Sequence, residues 1–241
     1  CKLMKNFKFD LKKQILSGYL FLIVVFLINT FVGSYQRDKY EQVIHQSTQV
    51  IQPSTLKLIE LKALINNSIS LSNTWLNIEL EDHKDKKALK KLHVTDFPAF
   101  KKTLAKLTNQ WKNKEQKKKI DNTIILLEKG VFAPQKELMN MLSNFDSYAD
   151  IMVKLEADEK HGNMKNKAQT IIKSIEDLIK YKKKENDANQ LVMKKALDTI
   201  KSTNTVLVIL IILVGFTLGF TLANRITKPV INIKNVINFL M

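Results

Sequence analysis

Two uncharged apolar runs divide this sequence and constrain its fold more than any other feature. Residues 15–32 and 206–223 each contain 18 residues without a charged side chain. As α-helices, these runs would be roughly 27 Å long at about 1.5 Å per residue, close to the hydrocarbon thickness of a bilayer. The sequence therefore predicts two transmembrane helices.

Lysine and arginine at the two outer flanks predict the topology. They include Lys2, Lys5, Lys8, Lys12 and Lys13 before the first run, and Arg225, Lys228 and Lys234 after the second. Cytoplasmic flanks carry such positive charge, so we expect 1–14 and 224–241 in the cytoplasm and 33–205 outside. A cleaved secretory signal is the alternative for the first run and would release a secreted bundle. The run is longer than a signal core and ends in TFVGSYQ, a poor cleavage site, which favours an uncleaved anchor.

Charge and cysteine content limit the partners and the source of stability that residues 33–205 can have. Residues 33–205 hold 31 basic and 22 acidic side chains, hence +9 of the chain's formal +16. Nucleic acid is not an expected partner, because these lysines lie across the membrane from the genome and are spread over several helices. The only cysteine, Cys1, excludes an internal disulfide, so stability must come from packing. Met4 is the expected natural start, and the origin of residues 1–3 stays open.

Helical periodicity and only six glycines and four prolines predict an all-α fold. Helix one is expected from about 34 to 80, kinked at Pro53, and 81–95 forms a charged connector. Helix two is expected from Asp96 and Pro98 to about 128, with Gly130 as its cap and Pro134 as the restart. Helix three ends at Gly162, and helix four runs from about 163 into the second apolar run. We expect an antiparallel four-helix bundle. The predicted stripes are Ile44, Ile51, Leu58, Leu61 and Ile65; Phe97, Phe100, Leu104, Leu107 and Trp111; Leu138, Met141, Leu142, Phe145, Tyr148, Met152 and Leu155; and Ala168, Ile171, Ile175, Ile179, Met193, Ala196 and Ile200.

A polar stretch, NNSISLSNTW at 66–75, interrupts the apolar seam of helix one. Two interpretations stay open: a small ligand cavity or a polar device that fixes helix register. Helix four has a similar weakness where Lys182, Asn186 and Asn189 occupy stripe positions. The residues assigned to the ligand cavity are Asn66, Ser68, Ser72, Asn73 and Trp75.

Catalytic and metal motifs are lacking in this sequence. The acidic string ELEDHKD at 79–85 has no defined ligand spacing, and the histidines are isolated. We therefore predict no enzymatic activity, no cofactor and no metal. In the second apolar run, Gly215, Gly219 and Ala223 recur at intervals of four, a spacing typical of close packing between membrane helices.

The last residues carry a family resemblance. After Arg225 and Pro229, apolar residues recur at Val230, Ile233, Ile237 and Leu240, a coiled-coil spacing. Proline is tolerated in a first helical turn, so Pro229 is expected to end one helix and start another. This pattern resembles the first helix of a HAMP relay domain. The layout as a whole is similar to bacterial methyl-accepting chemotaxis proteins with a four-helix-bundle sensor, and to sensor histidine kinases.

The resemblance implies a homodimeric receptor in the bacterial inner membrane that senses a small molecule or a protein outside. It also implies that the six residues of the pattern relay the signal to a cytoplasmic kinase or adaptor. The rest of the HAMP domain and the output domain are missing, so the chain is expected to be a fragment. Chemoreceptor is the first interpretation and histidine kinase the second. A structural or adhesive bundle binding acidic envelope polymers is an alternative of another class, and the ligand cannot be identified.

Overall fold

A computed structural model describes the backbone of residues 11–240, and the side chains of 16–224 apart from those at 36, 38, 39 and 222. The described backbone is helical and contains no strand, so the all-α prediction is confirmed. The predicted tail at 1–14 lies largely outside the described residues. The helices in chain order are α1 (Leu11–His45), π1 (Gln46–Ile51), α2 (Gln52–Asn77), α3 (Lys84–Lys91), π2 (Leu92–Asp96), α4 (Phe97–Thr108), α5 (Lys114–Leu127), π3 (Glu128–Phe132), α6 (Ala133–Met141), α7 (Phe145–Ala149) and α8 (Ile151–Leu240).

The chain divides into two compact units, of which the larger, Val43–Gln190, contains the hydrophobic core. Four helical segments build it, and we name them in chain order. Segment one is π1 with α2, segment two is α3 to α4, segment three is α5 to α6, and segment four is α8 up to residue 190.

Pairs of contacts between the segments fix their directions. Moving forward along one segment, the contacts move backward along its neighbour. Segments one and four meet at Ser47–Asn186 and Lys62–Glu176, segments three and four at Lys119–Asp177 and Glu137–Lys160, and segments two and three at Phe97–Phe132 and Lys101–Glu128. The segments of each pair are therefore antiparallel. The core between them is apolar, with Leu58, Leu61, Ile65, Leu127, Leu138 and Ile175 fully buried. Burial of these side chains is the main stabilising contribution, because the unit has no disulfide.

Three π-helical turns, each followed by proline, explain where the predicted helix boundaries were wrong. Pro53, Pro98 and Pro134 lie in the first turns of α2, α4 and α6, directly after π1, π2 and π3. Proline has no N–H and its ring crowds the carbonyl four residues earlier. A widened turn accommodates that clash without ending the helix. Segment three therefore continues through Gly130 and Pro134, where a cap and restart were expected.

The remaining boundary errors have local causes. The expected connector at 81–95 is helical from Lys84, with His83 as N-cap accepting a hydrogen bond from the Asp85 N–H. The real break lies at 109–113, where Asn113 caps α5 through the N–H groups of Glu115 and Gln116. Trp111 is thus buried in a turn instead of on a helix face. A second break separates α6 from α7, so Leu142 and Phe145 do not share one helix as expected.

In α8 the backbone stays helical through Gly162 and Pro229, where ends were expected. Glycine only weakens a helix by about 1 kcal/mol, which neighbouring contacts offset. Burial also differs from the predicted stripes. Ile44 is 46% exposed although Ile51, seven residues on, is fully buried. The π turn between them adds residues to one turn and shifts the register.

The smaller unit comprises the described residues of 1–42 together with those from Leu191 onward. Its two helices, α1 and α8, are each long and apolar enough to span a membrane. Large apolar side chains on them are exposed, with Phe31 at 76% and Phe216 at 77%. Such exposure is unfavourable in water and suits a lipid environment.

Contact between α1 and α8 inside this unit occurs at Gly18. A Cβ atom built on Gly18 would lie only 2.6 Å from Leu218 Cδ1, whereas one built on Gly215 or Gly219 would have nothing within 4 Å. The predicted packing face of Gly215, Gly219 and Ala223 thus has open space at both glycines within the described chain. The close approach is made by Gly18 of the other helix, a residue that no spacing in the sequence had indicated.

Candidate functional site

The candidate site is a polar layer inside the core of the larger unit. Segment one contributes Ser68 and Ser72, both fully buried, and segment three contributes Gln135, also fully buried. Gln135 Nε2 donates to Ser68 Oγ at 3.2 Å. The serine hydroxyls are satisfied locally, because Ser68 donates to the Ile65 carbonyl and Ser72 to the Ser68 carbonyl, each at 2.8 Å.

Segment two completes the polar layer with His93, which lies on π2. Its ring packs edge-on against Phe132, with centroids 5.0 Å apart. Burial first, and then the positive charge of Lys136, lower the pKa of His93 from 6.5 to about 4, and the nearby Gln135 side chain opposes the shift. The imidazole is therefore neutral at pH 7.

Two polar atoms of the layer lack partners. Among the described residues, neither Gln135 Oε1 nor His93 Nε2 has a hydrogen-bond partner, although both are buried. The Gln135 side chain favours the protonated imidazole as a weak hydrogen-bond partner would. The geometry between Gln135 Oε1 and His93 Nε2 nevertheless falls short of a hydrogen bond, and we take both atoms as unpaired on that ground. Each unpaired buried group costs about 1–3 kcal/mol, so the polar layer weakens the packing around it.

The predicted cavity residues do not all meet at this layer. Ser68, Ser72 and Trp75 are buried, while Asn66 and Asn73 are exposed. The stretch 66–75 thus has a buried polar face and an exposed polar face. Both serine hydroxyls donate to carbonyls of their own helix. The sequence did not predict Gln135 and His93 as members of this layer. A signal existed for Gln135, which lies between the apolar residues Val131 and Leu138 at spacings of four and three, where an apolar residue is expected.

A lysine–aromatic cluster lies at one end of the segments, beside the loop at 78–83. Trp75 Nε1 donates to the Leu142 carbonyl at 3.1 Å, and Tyr148 OH donates to the Trp75 carbonyl at 2.6 Å. The buried Lys86 Nζ lies 5.2 Å from the Trp75 ring and 4.6 Å from the Tyr148 ring. Burial lowers the pKa of Lys86 and raises that of Tyr148 to about 12, with Glu79 adding to the tyrosine shift.

The opposite end of the segments carries a second cluster of the same kind. Trp111 Nε1 donates to Ser54 Oγ at 2.8 Å, and Lys182 Nζ lies 4.2 Å from the Trp111 ring. Lys182 is 1% exposed and pairs with Glu185 at 2.9 Å. One turn further, Ser47 donates to Asn186 at 2.6 Å. Lys182 and Asn186, which were expected to interrupt the apolar stripe of helix four, thus form hydrogen bonds and an aromatic contact there. Each of the two clusters is built around one of the two tryptophans of the chain.

The described side chains suggest no catalytic constellation. Among the described residues, no group of three His, Cys, Asp or Glu side chains is placed to hold a metal ion. The polar layer can lower the stability of the packing in the middle of the unit, because a single hydrogen bond, Gln135 to Ser68, joins its segments. The clusters at Trp75 and Trp111, at the two ends, are joined by more contacts. The side chains of Arg225, Pro229, Val230, Ile233, Ile237 and Leu240 lie outside the description, and only their helical backbone is known.

Comparison with known proteins adds no assignment. No protein-family model, curated protein or solved structure matches the chain.

Proposed function

We propose that this chain is the sensory and membrane portion of a transmembrane signal-transduction receptor, with a methyl-accepting chemotaxis protein as the preferred type and a sensor histidine kinase as the second. In this proposal, 33–205 lies outside the cytoplasm, and both apolar runs cross the bacterial inner membrane. The receptor acts as a homodimer, and residues 224–241 begin a HAMP relay.

The observation that carries the proposal is the continuity of α8. One helix includes segment four, the second apolar run and the Arg225–Leu240 pattern. A change in how segment four packs in the core would therefore act on the same helix that enters the lipid. The expected interruption at Pro229 is absent, so the proposed relay needs no hinge there.

The polar layer supports a receptor that switches between two packings. Its unpaired Gln135 and His93 atoms leave the observed packing less favourable than a fully bonded core would be. A stimulus then needs to favour an alternative packing by only a few kcal/mol, the usual size of an allosteric coupling. The bonded clusters at Trp75 and Trp111 would hold the two ends while the middle repacks.

Topology is the decisive test. We would replace Cys1 with serine and introduce single cysteines at Lys112, which is exposed in the larger unit, and at Lys234. A membrane-impermeant maleimide applied to intact cells should label the first position only, and labelling of Lys234 should require permeabilised cells. Labelling of both positions in intact cells, or of neither, would reject the receptor. A mature protein that lacks the first apolar run would instead support the secreted bundle.

A further inference from the structure

Two adjoining cavities between segments three and four form one groove on the larger unit. Their volumes are about 410 and 330 Å³, and they share Gly130 and Lys167. Each lies in the size range of small-molecule sites in proteins. We call the combined space the Gly130 groove. It is separate from the polar layer around Ser68.

Gly130 keeps the middle of the groove open. It lies within π3, and a Cβ atom built on it would be 3.3 Å from Lys167 Cδ. A larger side chain would therefore occupy the space where the two cavities join. Widened π turns often occur at functional sites, because they displace side chains locally while leaving the helix intact.

One end of the groove carries carboxylates. Glu137 is paired with Lys160 at 2.6 Å. Glu156 and Glu159 also line this end, and neither has an ion-pair partner among the described residues. With Lys160 engaged by Glu137, the two remaining carboxylates make this end suited to an ammonium group.

The other end of the groove has the opposite character. Its walls include Leu126, which is 60% exposed, and Ile171. Lys129 lies beside them, and Lys167 lies where this cavity joins the first one. The described part of the chain offers neither ammonium an ion-pair partner. This end is suited to an apolar group next to a carboxylate.

The spacing of the charges limits the length of a ligand. Glu159 and Lys167 are eight residues apart on one helix, about 12 Å at roughly 1.5 Å per residue. An extended peptide advances about 3.3 Å per residue, so three or four residues cover that distance. We propose that the Gly130 groove binds a short peptide with free termini, its ammonium at Glu156 and Glu159, its carboxylate at Lys167 and Lys129, and an apolar side chain against Leu126 and Ile171.

As the stimulus of a receptor, this ligand class rests on the proposed function, but binding itself does not require any particular topology. The test therefore uses binding alone. If the peptide binds but the labelling contradicts the topology, the binding site is supported and the receptor function is rejected. If the labelling agrees with the topology but no peptide binds, the receptor function is supported and the binding site is rejected.

The experiment measures binding of the tripeptide Ala-Ala-Phe to the 241-residue chain in phosphatidylcholine nanodiscs by isothermal titration calorimetry. N-acetylated and C-amidated forms of the tripeptide serve as matched probes. We expect one site per chain and at least threefold weaker binding for each capped form, since each cap removes one charge. In the variant E156Q/E159Q the free and the acetylated peptide should bind equally, and in K129Q/K167Q the free and the amidated peptide should do so.

Shape is tested separately. Gly130→Leu should abolish binding, and Leu126→Ala should weaken it at least twofold. Leu56→Ala is the control, because Leu56 is 66% exposed on segment one, away from the groove. Tryptophan fluorescence during urea unfolding checks that each variant is folded, and a misfolded G130L is replaced by Gly130→Ala with an expected partial loss. No binding at millimolar peptide, equal binding of all three peptides, or tighter binding of spermidine than of the tripeptide would overturn the proposal.

Discussion

The ammonium of Lys182 lies 4.2 Å from the centre of the Trp111 ring. Lys182, on α8, is 1% exposed, and Trp111, in the turn at 109–113, is 5% exposed, so the charge is buried against the indole. A buried ammonium is expensive unless it is paired, and here Glu185 and the indole ring share that role. Because both tryptophans of the chain belong to the larger unit, their fluorescence follows its unfolding without interference from the apolar helices.

Substitutions of Lys182 should separate the contribution of its charge from that of its stem. Lys182→Met keeps the stem and removes the buried charge, and we expect the free energy of unfolding to change by less than about 1 kcal/mol. Lys182→Ala leaves a cavity beside Trp111 and should cost about 2–4 kcal/mol. Urea unfolding followed by tryptophan fluorescence measures both values. Equal losses in the two variants would mean that the charge, and not the packing, holds this end.

The hydrogen bond between Gln135 and Ser68 should respond with opposite signs to changes on its two sides. Gln135→Leu removes the unpaired Oε1 and should stabilise the unit by about 1 kcal/mol, because Ser68 still donates to its own helix. Ser68→Ala removes the acceptor of Gln135 Nε2 and should destabilise it by about 1 kcal/mol. The same fluorescence measurement applies. Destabilisation by both changes would show that the polar layer is fully satisfied in solution.

Protonation of His93 should make stability fall with acid. Its pKa is about 4 in the folded chain against 6.5 when exposed, so the unfolded chain binds more protons between these values. Stability should therefore drop as the pH falls from about 6.5 to 4, by about 2 kcal/mol after discounting for partial exposure. His93→Phe should remove this slope between pH 4 and 7. Val94→Ala, at a 78% exposed position of the same π turn, should keep it.

A branched side chain at Gly18 should disturb the packing of α1 on α8, whereas a small one requires only that the Leu218 side chain turn away. In Gly18→Val the new methyl groups meet Leu218, so we expect α1 and α8 to separate locally. Spin labels at Phe21 and Phe216 should then give a longer and broader distance distribution by electron–electron double resonance in nanodiscs. Gly33→Val is the control, since a Cβ atom there has nothing within 4 Å. A distribution unchanged in Gly18→Val would contradict the contact.

Periodicity in the sequence was sufficient to predict an all-α fold, because a helix that buries one face needs an apolar residue every three or four positions. It was insufficient for the boundaries, since Pro98 and Pro134 have the same local signature whether a helix starts there or widens into a π turn. The true turn at 109–113 had no proline or glycine, and its signal was Asn113 as a cap. Of the residues in the polar layer, Ser68 and Ser72 could be predicted, because they interrupt the apolar stripe of helix one. Gln135 and His93 could not be joined to them, because only the packing of three segments brings these side chains together.

The three π turns also determine where this chain can change in length. Removing one residue from π3, such as Lys129, would turn the widened turn into an ordinary helical turn and leave α6 facing the core as before. Removing one residue inside α6 would instead rotate every later residue of that helix by about 100° and move Leu138 off the core. Related chains should therefore accumulate gaps at the π turns and in the breaks at 78–83 and 109–113, and keep a fixed count of residues within the α-helices between them.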